Sequence, residues 1–155
     1  MTGVGGIVLK DDLFLLVRRG VDPKKGFWCI PGGNVKANET ARDAIRREIL
    51  EVTGIDAEIL GVVDLCEFPP YGRDIYVTFL ATHVRGYPKP RSDAVEARWF
   101  SANQVRRLKK ITTLTKLLVR KVAEGDCCLI QAHTIEGTQE AVSYTHLRAH
   151  ETGRN

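Results

Sequence analysis

Residues 31–55 read PGGNVKANETARDAIRREILEVTGI. A proline followed by two glycines marks a tight turn with unusual backbone angles. Ala41, Ala44, Ile45 and Ile49 then recur at helical spacing with charged residues between them, which predicts an amphipathic helix over residues 40–53. Asn38 or Thr40 is placed to cap its start, and Gly54 to close it. Glu48 and Glu51 stand three residues apart, so both project from one face of that helix. Two carboxylates this close raise each other's pKa unless a cation sits between them. Magnesium resolves the conflict, because it is a hard ion that takes carboxylate oxygens together with substrate phosphates. The double glycine lets backbone approach the same place. Turn and helix thus form half of a site for a metal-bound diphosphate.

Working outward, residues 4–9 and 13–19 are apolar, β-rich runs around Lys10-Asp11-Asp12 and predict a strand hairpin. Residues 27–30, 58–68, 75–84 and 97–100 read as further strands. Ser101 and Gln104 form a capping-box signature, and a last helix is expected near residues 114–124. Residues 126–141 have no assignable pattern. Strands interleaved with helices argue for a mixed α/β domain. Arg18, Arg19 and Arg73 are candidates for phosphate contacts, since guanidinium matches phosphate geometry. Phe27, Trp28 and Tyr71 are candidates for stacking on a base, although Phe27 and Trp28 alternate along one strand, so at least one belongs to the core.

The segment resembles the Nudix box, G-x5-E-x7-R-E-U-x-E-E-x-G-U, where U is a bulky aliphatic. Gly33, Glu39, Arg47, Glu48, Ile49, Glu51, Gly54 and Ile55 match; Val52 stands where the family usually has its last glutamate. The resemblance implies the Nudix α/β/α sandwich with a mixed sheet and a loop–helix–loop. It implies hydrolysis of nucleoside diphosphate-linked compounds with Mg2+ or Mn2+. It gives Glu39 and Arg47 a structural ion pair, and makes Glu48 the candidate base or water-holding ligand. It places the metal against Gly32 carbonyl, Glu48, Glu51 and one further acid, for which Glu96 is the first choice and Asp93 the second. Pro70, fifteen residues after Ile55, matches a mark of ADP-ribose pyrophosphatases; Tyr71 matches a mark of diadenosine polyphosphate hydrolases. ADP-ribose or a similar nucleotide sugar is the first substrate expectation. A MutT-like nucleoside triphosphate pyrophosphohydrolase and a non-catalytic nucleotide-binding domain are the alternatives, the latter because of Val52.

The 155 residues suit one domain, long enough to bury about 70% of its unfolded surface. Cys29, Cys66, Cys127 and Cys128 have no zinc spacing and read as reduced thiols of a cytoplasmic protein. No apolar run approaches the roughly 18 residues that span a bilayer. The net charge is +4, with basic residues concentrated at 106–121. That run falls on and before an amphipathic helix and reads as a solvated face. The resemblance implies a small-nucleotide partner and a monomer or homodimer, and the charge and apolar patterns lead to the expectation of no nucleic acid polymer and no membrane. Residues 142–152, VSYTHLRAHET, resemble the read-through translation of a sequencing adapter. The expected organisation is a Nudix domain over residues 1–125, an unassigned extension over 126–141 and a non-native tail over 142–155.

Overall fold

The computed structural model describes residues 1–68, 74–134 and 142–146. Strands β1 (Gly3–Lys10) and β2 (Leu13–Arg19) form the expected hairpin, with Leu9 opposite Phe14. Short strands β3 (Trp28–Cys29) and β4 (Gly32–Asn34) come next, so Gly32 and Gly33, expected from sequence in a tight turn, are extended residues paired to β1, and helix α1 (Ala41–Thr53) follows. Then come β5 (Asp56–Phe68), β6 (Asp74–Arg85), β7 (Ala94–Ser101), α2 (Ala102–Arg107), α3 (Thr113–Ala123), β8 (Ile130–Thr134) and β9 (Val142–His146). The main sheet path runs β3-β2-β1-β6-β5-β8-β9, with β4 paired to β1 and β7 to β2. Among the described strand pairs only β1–β6 is parallel, so the sheet is mixed.

Both faces of this sheet are covered, which is why β2 is apolar almost throughout rather than alternating with polar residues. Leu15 faces the α1 side, in a core with Val4, Val8, Ile45, Ile49 and Phe79. Phe14 and Leu16 face the other side, in a core with Trp28, Phe100, Val105, Leu118 and Val119. Two cores on opposite faces make an α/β/α sandwich. Parity along β2 therefore decides which face each of its side chains reaches, a fact that governs the site described below.

Helix α1 forms where the spacing predicts. Thr40 is the N-cap, its hydroxyl accepting the Asp43 N–H at 3.1 Å, while Asn38, two residues earlier, adopts a left-handed φ of 63°. Gly54 ends the helix at φ 75°, and its N–H donates to the Leu50 carbonyl at 2.9 Å. Ala44, Ile45, Ile49 and Thr53 are buried. Ile49 is fully buried, and a β-carbon at Gly6 on β1 would meet its Cδ1 at 2.9 Å, so the glycine leaves room for close packing of helix on strand. Truncating Ile49 to alanine is expected to cost about 2–5 kcal/mol of folding stability; the shift in urea midpoint measures it.

Residues 126–141, unassigned from sequence, contain β8 on the β5 edge, with Gly61 opposite Gln131. Val142–His146, inside the segment expected to be foreign, form β9 along β8. Residues 147–155, the rest of that segment, lie outside the described residues. No described helix is long and apolar enough to cross a membrane.

Candidate active site

The Pro31-Gly32-Gly33 segment is pinned on three sides. The Pro31 carbonyl accepts the Gly6 N–H at 2.9 Å. Gly32 and Gly33 pair with Gly5 and Val4 of β1. The Ile30 N–H donates to the buried Thr115 hydroxyl of α3 at 3.1 Å. Glycine is required here for space alone: neither Gly32 nor Gly33 has a positive φ, so the unusual backbone angles expected from sequence are not found at either. A β-carbon at Gly33 would collide with the Glu48 carboxylate, and one at Gly32 would collide with the Val4 carbonyl.

Arg47 organises the acids of α1. Its Nη2 and Nε donate to the two Glu39 oxygens at 2.6 and 3.1 Å, a bidentate pair. Its Nη2 also reaches the Asn34 carbonyl at 3.1 Å, fastening the end of β4 to the helix. Nη1 donates to Glu48 at 2.8 Å and to Glu51 at 3.1 Å, so one cationic nitrogen lies between the two carboxylates and offsets their repulsion. Glu48 is largely covered, at 15% side-chain exposure, whereas Glu51 is half open at 51%.

The Arg47 guanidinium, helped by the Lys36 N–H, holds the Glu39 carboxyl down to about 2 from its ordinary 4.5. The same contacts push Arg47 upward. Because the folded value of Glu39 is depressed, its stabilising contribution is complete above pH about 4.5. That contribution fades as pH falls from there through about 2. The urea midpoints of the wild type and Glu39→Gln are therefore expected to differ at pH 6 and to converge only as pH falls to about 2.

Glu48, Glu51, Gly32 and Gly33 line a cleft of about 460 Å3 with Arg19, Lys36, Val52 and Asp93. Asp93 arrives through the end of α1. The last carbonyls of a helix have no partner within it; here those of Val52 and Thr53 accept the Arg91 and Lys89 N–H groups at 3.0 and 2.7 Å. The Asp93 carbonyl is in turn tied to the Gly20 N–H at 2.7 Å. The segment leading to β7 is thereby fixed to both α1 and β2, with Asp93 on the cleft wall. Val52 follows Glu48 by four residues and lies on the same helix face, so an apolar group occupies the wall where the resemblance led us to expect a third glutamate.

Three expected site residues stand elsewhere. Glu96 lies directly across from Arg18, on the α3 side of the sheet. Its Oε1 takes Arg18 Nη2 at 2.7 Å and its Oε2 takes Arg98 Nη2 at 2.7 Å, and these cations, Arg18 first, hold its pKa below the usual range. Strand alternation separates Glu96 and Arg18 from Glu48 by the thickness of the sheet. Neither belongs to the cleft, and Asp93 is the acid from outside the helix that reaches it. Trp28 pairs across from Arg18 and is only 6% exposed, with its ring edge-on to Phe100 at 4.9 Å. It is a core residue, not a stacking platform. Glu96→Gln is expected to leave turnover unchanged and to lower stability by no more than about 1 kcal/mol, as for a half-exposed ion pair; steady-state kinetics and a urea titration check both. Pro70, Tyr71 and Arg73 lie outside the described residues.

The same parity separates two arginines that the sequence left as equal candidates, and brings in Cys29, which sequence reading passed over. Arg19, not Arg18, enters the cleft, beyond a bulge between the two. Cys29, opposite Val17, also lines the cleft. Burial pushes the Cys29 thiol up despite the neighbouring Arg19, so it is a neutral wall group and not a nucleophile.

Donor chemistry fits a hard divalent cation: two carboxylates face a glycine segment whose backbone can come close. Among the described residues, no three His, Cys, Asp or Glu side chains converge as a metal set. Such an ion would therefore rely on Glu48 and Glu51, completed by backbone, substrate and water oxygens.

An α/β/α sandwich with a glutamate-bearing loop–helix–loop beside an arginine-lined cleft is the class of protein that these features define. The NUDIX domain profile matches residues 1–121, and the chain belongs to the NUDIX family. It is similar to the ADP-ribose pyrophosphatase of Methanocaldococcus jannaschii, 37% identical over 108 residues that cover 68% of this chain and 64% of that protein. It is also similar to the oxidized purine nucleoside triphosphate hydrolase of Mus musculus, 33% identical over 90 residues, 53% of this chain and 56% of that protein. The MutT NUDIX hydrolase structure from Burkholderia pseudomallei superposes with a TM-score of 0.69 at 25% identity, covering 78% of this chain and 96% of that one. The chain spans less than two thirds of the length of these two curated relatives.

Proposed function

We propose that the chain is a divalent-metal-dependent pyrophosphohydrolase of nucleoside diphosphate-linked compounds, with ADP-ribose or a similar nucleotide sugar as its substrate. One observation carries the reading. Glu48 and Glu51 are held together by a single arginine nitrogen on a cleft floored by Gly32-Gly33. A merely solvated helix face has no reason to bury Glu48 against a glycine segment. The likeness to the archaeal ADP-ribose pyrophosphatase supports the substrate class.

Glu48, Glu51 and the Gly32 carbonyl would hold Mg2+ or Mn2+. Bound there, such an ion supplies polarisation of phosphoryl oxygens and acidification of water. Glu48 accepts the proton of the attacking water, with Asp93 across the cleft as the second candidate. Arg19 and Lys36 bind the diphosphate oxygens, Arg19 through its planar fork. Arg47 and Glu39 position the helix and touch no substrate. The catalytic unit is residues 1–125, in the cytoplasm, and residues 142–155 are foreign to it.

The mouse relative favours a second reading, a MutT-like nucleoside triphosphate pyrophosphohydrolase. Val52 favours a third, a binding domain without turnover. A substrate panel with Mg2+ or Mn2+ and product identification separates all three. AMP and ribose phosphate from ADP-ribose supports the proposal; pyrophosphate from triphosphates supports the second reading. Ligand binding with no product across the panel supports the third. A chain ending at Ala141 is expected to give the same products at the same rate.

A further inference from the structure

Residues 102–123 hold seven Lys and Arg residues and no Asp or Glu. With +7 here and +4 overall, the remainder of the chain carries −3. A solvated helix face ordinarily intersperses both signs; this one does not. Arg106, Arg107, Lys109, Lys110, Lys116 and Arg120 are exposed, and none forms an ion pair among the described residues. Lys116 and Arg120 are one turn apart on α3, and the other four lie at the end of α2 and in the linker.

The fold extends this band toward the cleft. The Lys110 carbonyl accepts the Trp28 N–H at 2.8 Å, and the Thr112 N–H donates to the Trp28 carbonyl at 3.0 Å. The loop before Trp28 carries exposed Lys24 and Lys25. It folds back so that the Pro23 carbonyl accepts Nε of Arg19, the cation of the cleft, at 2.7 Å. A basic path therefore runs from the cleft mouth over the loop to the α2–α3 linker.

We infer that this band binds the phosphate backbone of a single-stranded polynucleotide. Phosphate contacts need charge alone, without a groove or an apolar anchor. Peripheral helices that lie on a membrane pair a basic face with inserted apolar side chains. None of the described exposed large hydrophobics falls within residues 102–123, so charge without insertion favours a polyanionic strand over a lipid surface. The inference departs from the small-nucleotide partner expected from sequence and does not depend on the proposed hydrolysis.

Fluorescence anisotropy of a labelled oligouridylate against the full chain, over a range of salt, tests it. Binding is expected to weaken with a log–log slope of about −0.7 per phosphate contacted. Lys109→Glu with Lys110→Glu should reduce affinity at least tenfold and flatten the slope by about 1.4. Its melting temperature and free-nucleotide turnover should be unchanged. Arg46→Glu with Lys89→Glu, an equal charge change on the α1 side, should have a much smaller effect. No salt-dependent binding, or equal losses in both double variants, overturns the inference. So does a linker-dependent affinity for phosphatidylserine vesicles without one for the oligonucleotide.

Discussion

Glu48→Gln is expected to lower kcat by about 10²–10⁴-fold, the range for losing a positioned proton acceptor. The glutamine is nearly isosteric and keeps an oxygen that can accept from Arg47 Nη1. The expectation concerns charge and basicity, not packing. Folding stability and the Glu39–Arg47 pair should survive, because that pair uses the other two guanidinium nitrogens. The substrate KM should change far less than kcat if Glu48 acts in the transition state. Turnover within threefold of wild type would remove Glu48 from the chemistry and point to Asp93. A matched Glu51→Gln variant separates proton transfer from cation binding. It should weaken the activating concentration of Mn2+ more than it lowers kcat at saturating metal, because Glu51 is the more open of the pair.

Gly33→Ala is expected to cost roughly 100-fold in kcat/KM, the penalty of displacing a catalytic group by about an ångström. The added methyl would occupy the volume of the Glu48 carboxylate. The segment cannot retreat, since Gly33 is paired with Val4 and the Pro31 carbonyl is held by Gly6. Glu48 must therefore give way, losing either its place on the cleft or its contact with Arg47. Because the damage runs through Glu48, Gly33→Ala combined with Glu48→Gln should be little worse than Glu48→Gln alone. Groups that act as a unit give such non-additive losses. Fully multiplicative losses in the double variant would show that the glycine acts by another route, such as direct approach of its backbone to substrate.

The site was unevenly legible in the sequence. Everything on α1 was readable, because helical periodicity fixes the relation of Glu48, Glu51 and Val52 through short-range geometry alone. Gly54 and Thr40 mark the ends by local backbone chemistry. Residues recruited from strands were not readable at the level of single positions. Arg18 and Arg19 are adjacent and chemically identical, yet one faces the cleft and the other a glutamate on the far side of the sheet. The choice depends on strand parity and on a bulge at that step, neither of which the string RR records. Glu96 failed for the same reason. Asp93, the second choice from sequence, lines the cleft because its segment is tied to the last carbonyls of α1, a contact between residues some forty positions apart.

The strand near the C-terminus was illegible for a different cause. Residues 126–141 carry no alternation strong enough to mark β8, whose place is set by the open edge of β5. The sequence by itself determined the NUDIX loop–helix–loop, since periodicity and spacing are local properties of the chain, while helices on both faces of the sheet were expected from the family resemblance and not from periodicity. Only the tertiary structure decided which arginine and which outside acid meet the helix. It also decided that the strand following the 24–25 loop is hydrogen-bonded to the α2–α3 linker. Side-chain direction across a sheet and juxtaposition of distant segments arise from pairing, which no single stretch of chain contains.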